Sequence, residues 1–268
     1  MPVIIDGTNE VSTPKTFAFK NRIIDGGFTI NQRGYVSGTS LSSGSYGHDR
    51  WKGGASNGTY TFTQASTGVN TTITITAGSI IQVIEGANLP EGGTYVLSWT
   101  GTAQGKIGAG SFGASGITGT ITAGTDTNIE FNTGTCGNVQ LEVGSTATSF
   151  DYRPYGTELQ LCQRYYEQWT YGSSYGTIVV GQCESTTLAR GYLTYTVQKR
   201  AAPTIATSGT QTNINASGTN LASTFTFIQT TSSTSYMYGI VSSGLVAGDA
   251  TQFVMNSANA NISFSAEL

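Results

Sequence analysis

The chain has 268 residues, room for one large or two modest domains, and 37% of them are hydrophobic, enough to build cores. Only 10% are charged, against roughly 25% in ordinary globular domains, so hydroxyls and amides must solvate the surface. Twelve Lys and Arg stand against 15 Asp and Glu. That leaves no basic cluster to hold phosphates, which argues against a nucleic-acid partner, and no run approaches the ~20 apolar residues of a membrane span.

Residues 1–20 read as an extended docking arm. Val3, Ile4 and Ile5 form a short apolar strand, Asp6–Asn9 a turn, and Pro14 a break; such a segment buries itself only by pairing with a neighbour. Its start lacks the basic, then apolar, pattern of a secretory signal, so synthesis in the cytoplasm of the producing cell is expected.

Residues 21–156 alternate short β-branched and aromatic runs with Gly, Ser and Asn: Ile23–Ile24, Phe28–Ile30, Tyr60–Gln64, Thr72–Thr76, Ile80–Ile84, Tyr95–Trp99, Gly116–Gly119, Asn128–Phe131 and Val139–Val143. Strands without intervening helices predict a β-sandwich of jelly-roll type. A short α-helix should follow. Thr157 suits an N-cap, with Gln160 completing a capping box and Glu158 in the first turn. Leu159, Cys162, Tyr166 and Trp169 recur at helical spacing, with Tyr165 widening the stripe, and so form a structural face for packing on a sheet rather than a stacking platform for a ligand.

The helix leads a second, smaller β-sandwich over 157–268, with strands at Thr177–Val180, Tyr192–Val197, Thr204–Ala206, Thr224–Ile228, Tyr236–Val241, Gln252–Met255 and Ile262–Ala266. The fold class is therefore all-β: an arm, then two β-sandwiches linked by one short helix.

Chemistry finds little support. His48 is the single histidine; Asp49 follows it directly and on a strand would point the other way, and no G-x-S-x-G elbow exists. Trp51 is expected in the core, with Asp49 or Arg50 fixing a loop. Cys136, Cys162 and Cys183 are widely spaced and read as buried thiols rather than zinc ligands beside His48. Glu85, Glu91, Glu130, Glu142 and Asp151 would have to supply any glycosidase pair, but none stands in a distinctive context. Asp6, Asp25 and Asp126 lie in turn-like sequence that suits local backbone hydrogen bonds. No enzyme activity, metal or cofactor is expected. Tyr171 and Tyr175, in a Ser- and Gly-rich loop, are the candidates for contacts with a glycan or a neighbouring subunit.

The run Asn21–Gly34, read as N-R-I-I-D-G-G-F-T-I-N-Q-R-G, precedes His48-Asp49-Arg50-Trp51. Much later come Gln140-Leu141-Glu142-Val143-Gly144, Phe150-Asp151-Tyr152-Arg153-Pro154, and Glu158-Leu159-Gln160-Leu161-Cys162-Gln163-Arg164-Tyr165-Tyr166. In this order the chain resembles a family of tailed-bacteriophage virion proteins, and Ile4–Asn9 is similar to the opening of phage fibre-type proteins. The resemblance implies a jelly-roll domain like those of carbohydrate-binding modules, a structural or adsorption role at the virion surface, and a homotrimer. It implies capsid, neck or tail proteins as partners, with host surface glycan as a further one. It transfers no catalytic residue. A polysaccharide depolymerase is the enzymatic alternative.

Overall fold

The computed structural model describes residues 19–172 and 175–268. The expected docking arm, with Val3, Ile4 and Ile5, lies outside the described residues. Those described are all-β apart from one short α-helix and a single 3-10 turn. They group into two compact units, one of residues 19–29 with 36–158 and one of residues 30–35 with 159–268. The division thus falls inside the helix, and a six-residue excursion belongs with the second unit, which chain order does not reveal.

The first unit contains β1 (Ser40–Leu41), β2 (Lys52–Thr61), β3 (Ile73–Ile84), β4 (Gly93–Thr100), β5 (Gly105–Ile107), β6 (Ile117–Ile121), β7 (Thr127–Phe131) and β8 (Gly134–Val143). One antiparallel face runs β1-β2-β3-β7-β5, and the other β8-β4-β6. β8 joins them: its first residues pair with β3 and the rest with β4, and Asn138, at φ 48°, marks the bend. The two faces form a sandwich around a core in which Trp99 of β4 meets Phe131 of β7 edge-on at 4.9 Å. Trp51, fully buried, lies against Phe28 at 4.9 Å and Phe131 at 6.0 Å. Each such buried apolar side chain contributes about 1.5–3 kcal/mol.

The runs Thr72–Thr76 and Ile80–Ile84 are one strand, not two. Gly78, read as a turn, sits at φ 65° inside β3, and the β2–β3 register shifts beside it. A Cβ there would meet the Asn57 carbonyl oxygen at 2.3 Å; the glycine makes a bulge, which bends a strand without ending it. Ile23–Ile24 and Phe28–Ile30 are buried but irregular, because their backbone is satisfied by side chains instead of a ladder.

α1 (Tyr155–Gln163) starts two residues earlier than expected and ends earlier. Pro154 contributes the first carbonyl, accepting from Thr157 and Glu158 N–H, so Thr157 lies within the first turn and is not the cap. Leu159 and Cys162 are on the helix as read, with Cys162 buried. Tyr165, Tyr166 and Trp169 are not. The turn closes with Tyr165 N–H donating to Cys162 O at 2.9 Å, and Tyr166 and Trp169 belong to β9 (Tyr166–Tyr171). Glu167, Trp169 and Tyr171 also fit a period of two, and pairing with β17 (Ala260–Ser265) selects the strand.

The remaining strands are β10 (Gly176–Cys183), β11 (Leu188–Thr194), β12 (Thr204–Ser208), β13 (Gln211–Ile214), β14 (Asn220–Ile228), β15 (Thr234–Val241) and β16 (Ala250–Met255). They refine the expected second sandwich into a closed six-stranded barrel, β10-β11-β15-β14-β13-β16, with a three-stranded sheet β12-β17-β9. Closure removes the exposed edges that a sandwich leaves. Glycines on three barrel strands, Gly181, Gly191 and Gly239, make room for the ring of Phe253, which a Cβ at any of them would approach within 2.7–3.1 Å.

One ion pair is fully buried in this unit: the Lys199 ammonium donates to Glu167 and, at 2.7 Å, to Gln163 O. Glu167 also accepts from Trp169 Nε1 at 2.7 Å. Arg33, from the excursion, stacks 3.5 Å above the Tyr166 ring and pairs with Glu267 at 3.0 Å, and Gln32 donates to Tyr166 O at 2.8 Å. These bonds account for the grouping of residues 30–35 with 159–268.

Candidate functional site

The motif residues of the first unit hold the irregular segment 21–29 in place. Asn21 Oδ1 accepts from the backbone N–H of Ile23 and Leu141, both at 3.0 Å, and its Nδ2 donates to Val139 O at 2.9 Å. Gln82 accepts from Ile24 N–H at 2.8 Å and donates to Ile24 O at 2.7 Å. Arg153 donates to the carbonyls of Asn21 and Ile23 and pairs with Glu158 at 3.0 Å; Glu158 in turn accepts from Asp25 N–H at 2.5 Å. These four side chains complete what the backbone bonds to β8 begin, Arg22 N–H donating to Leu141 O and Val139 N–H to Gly26 O, both at 2.8 Å; a buried backbone group without a partner costs about 1–3 kcal/mol. Gly26 permits the approach, as a Cβ there would lie 2.2 Å from Val139 O.

The other motifs act similarly. Trp51 Nε1 donates to Asp25 O at 3.0 Å, and Arg50 donates to Val83 O at 2.6 Å. Leu141 points into the core while its neighbours pin the loop that follows: Gln140 accepts from Asp151 N–H at 2.8 Å, and Glu142 accepts from Thr148 N–H at 2.8 Å and Oγ1 at 2.7 Å. Asp25 accepts from Thr29 N–H at 2.6 Å, the local bond expected of it; Asp6 lies outside the described residues.

His48 lies in an aromatic wall of the first unit. Its ring is buried against Phe28 and Phe62, with Nδ1 3.0 Å from Tyr60 Oη, and desolvation lowers its pKa from 6.5 to about 4. The imidazole is neutral at pH 7 and holds a hydroxyl in an aromatic wall. Cys136, Cys162 and Cys183 are buried thiols, none in a disulfide, and burial pushes the Cys136 and Cys183 pKa values up, away from thiolate chemistry. Among the described residues no three His, Cys, Asp or Glu side chains come together as a metal site. Glu91 pairs with Arg22, and Glu130 with Lys106 at 2.8 Å and Ser79 at 2.6 Å. The polar cavity beside Asn21, Asp151 and Glu158 measures about 20 Å³, room for about one water.

Tyr171 and Tyr175, the candidates for glycan or subunit contacts, stand in different settings. Tyr171 ends β9, half-buried against the barrel core, with its ring over Gly176 and its phenol pKa raised by burial. Tyr175 is exposed, and its hydroxyl accepts from Asn220 Nδ2 at 3.2 Å. Ser173 and Ser174, between them, lie outside the described residues.

The aromatic surface that sequence reasoning missed is on β11 and β15. Leu193 and Met237 face the barrel interior, so alternation turns Arg190, Tyr192, Tyr236 and Tyr238 outward. Tyr192 stands opposite Tyr236, and Arg190 opposite Tyr238. The Tyr192 and Tyr236 rings meet at 5.1 Å and 72°, and the Arg190 guanidinium lies 5.5 Å from the Tyr238 ring, paired with Glu184 at 2.6 Å. The signal was the Tyr-Met-Tyr alternation at 236–238; what it lacked was which face would be outside. Comparison of the chain with protein-family models, with curated proteins and with solved structures finds no match.

Proposed function

We propose that the chain is a non-enzymatic accessory protein of a tailed-phage virion, a fibre or decoration component that is made in the host cytoplasm, docks through its amino-terminal arm and presents its β-units at the particle surface. The observation that carries this reading is the ordered set of motifs from Asn21 to Pro154, whose polar side chains bond to the backbone of the first unit. Motifs that hold a scaffold together are what a display protein needs. The low charge and hydroxyl-rich composition suit a particle surface. Homotrimeric assembly and contact with capsid, neck or tail proteins follow from the resemblance.

Cryo-electron microscopy of purified particles tests the reading: density for this chain on head, neck or tail is expected, and its absence from intact virions would overturn the proposal. A second reading, host adsorption through surface glycan, is favoured by the outward tyrosines of the barrel. Release of reducing ends from host polysaccharide by the purified chain would instead make it a depolymerase.

A further inference from the structure

We infer that the outer face of β11 and β15 is a binding site for a neutral pyranose oligosaccharide, with Tyr192 and Tyr236 as the stacking rings and Tyr238 and Arg190 at its polar edge. The inference rests on the second unit alone and holds whether or not the chain belongs to a virion.

Tyr192 is 50% exposed, while Leu193 and Met237 are among the residues that fill the alternate, inward positions of the same two strands. It meets Tyr236 edge-to-face, so the pair offers a ring face and a ring edge side by side. The face carries the negative lobe of the aromatic quadrupole, which matches the partly positive C–H groups on one side of a pyranose ring. Phenol and guanidinium groups then lie within one residue spacing for the sugar hydroxyls. Ile228 of β14 lies opposite Tyr236, and the neighbouring strands add two polar residues: Thr226 opposite Tyr238, and Gln182 opposite Arg190. Both are exposed.

Charge selects among partners. Arg190 is already balanced by Glu184, so the patch carries no net charge; a phosphate, a sulfated sugar or an acidic glycan would have to compete with that carboxylate. A neutral ligand does not. Size argues against a second copy of the chain. A stable dimer buries about 800 Å² on each partner, whereas this aromatic row is two strands wide, with Thr224, Thr226 and Gln182 beside it and Ile240 exposed at its end. An oligosaccharide lying along the strands fits that width.

The test is an array of neutral and acidic oligosaccharides probed with the full chain and with Tyr192→Ala, Tyr236→Ala, Tyr192→Phe and Tyr175→Ala, each first checked by circular dichroism. Binding to one or more neutral pyranose oligosaccharides is expected, weakened about tenfold by either alanine at 192 or 236. It should be kept by Tyr192→Phe, which preserves the ring, and unchanged by Tyr175→Ala. Binding to acidic glycans alone, to none, or equally by the alanine variants overturns the inference. So does sedimentation in which Tyr192→Ala dissociates an oligomer while no glycan binds, because the face would then be a self-association surface.

Discussion

In the first unit Arg50, Gln82, Gln140 and Arg153 reach inward to backbone groups of buried segments, whereas in the second Arg190 and three tyrosines stand on the outer face of a barrel whose ladder is closed. There the fully buried pair of Lys199 with Glu167 ties the α1–β9 junction to the segment after β11. The difference teaches where a charge-poor chain must place its few ionic and amide groups. An irregular segment buried in a sandwich demands them inside, because backbone bonds alone do not satisfy all of its N–H and C=O groups. A closed barrel satisfies itself through its strands, and its surface aromatics are available for recognition.

Substitutions can break each half of this contrast separately. The largest effect is expected from Lys199→Ala, which leaves Glu167 buried without its ammonium partner and should lower the stability of the second unit by about 3–5 kcal/mol. Hydrogen exchange read during urea unfolding would report that loss in the barrel and spare the sandwich; Lys199→Met combined with Glu167→Leu should recover most of it. Trp51→Ala is the counterpart in the first unit. It removes a fully buried ring and the bond to Asp25, at a cost of about 3–5 kcal/mol, confined to the sandwich in the same measurement.

Acid sharpens the comparison further. Because the folded His48 pKa is lowered to about 4, the unfolded chain takes up a proton below pH 6.5 that the folded chain does not. The stabilisation is fully present above pH 6.5 and is lost as the pH falls to about 4, a change of about 3 kcal/mol. Stability of the first unit measured across that window should follow this slope, and His48→Gln should flatten it. A slope unaltered by the substitution would assign the acid sensitivity to carboxylates.

Much of the fold could be read in advance where one period dominates. β7, with Thr127, Ile129 and Phe131 buried and Asn128 exposed, and β17, with Ala260, Ile262 and Phe264 buried, announce themselves by alternation. Residues 162–171 did not, since Cys162, Tyr166 and Trp169 satisfy a helical period while Glu167, Trp169 and Tyr171 satisfy a strand. Only the partner strand β17, almost 100 residues later, decides between them. β13 was missed because Gln211, Thr212 and Asn213 carry no apolar alternation. Asn213 faces inward nonetheless, accepting from Ser223 Oγ at 2.7 Å. The tyrosines of the outer face were legible as strand residues, but their exposure depends on barrel closure, which is a property of all six strands together.

The smallest expected effect gives the most direct test of the central claim, that side chains of the first unit's motifs serve the fold while the tyrosine row of the second serves recognition. The measurement is the unfolding free energy of the Tyr192→Ala, Tyr236→Ala double variant. An exposed cross-strand aromatic pair contributes about 0.2–1 kcal/mol, so the barrel should lose about 1 kcal/mol at most and remain folded. A loss of several kcal/mol, on the scale of Lys199→Ala, would make these rings structural and contradict the account.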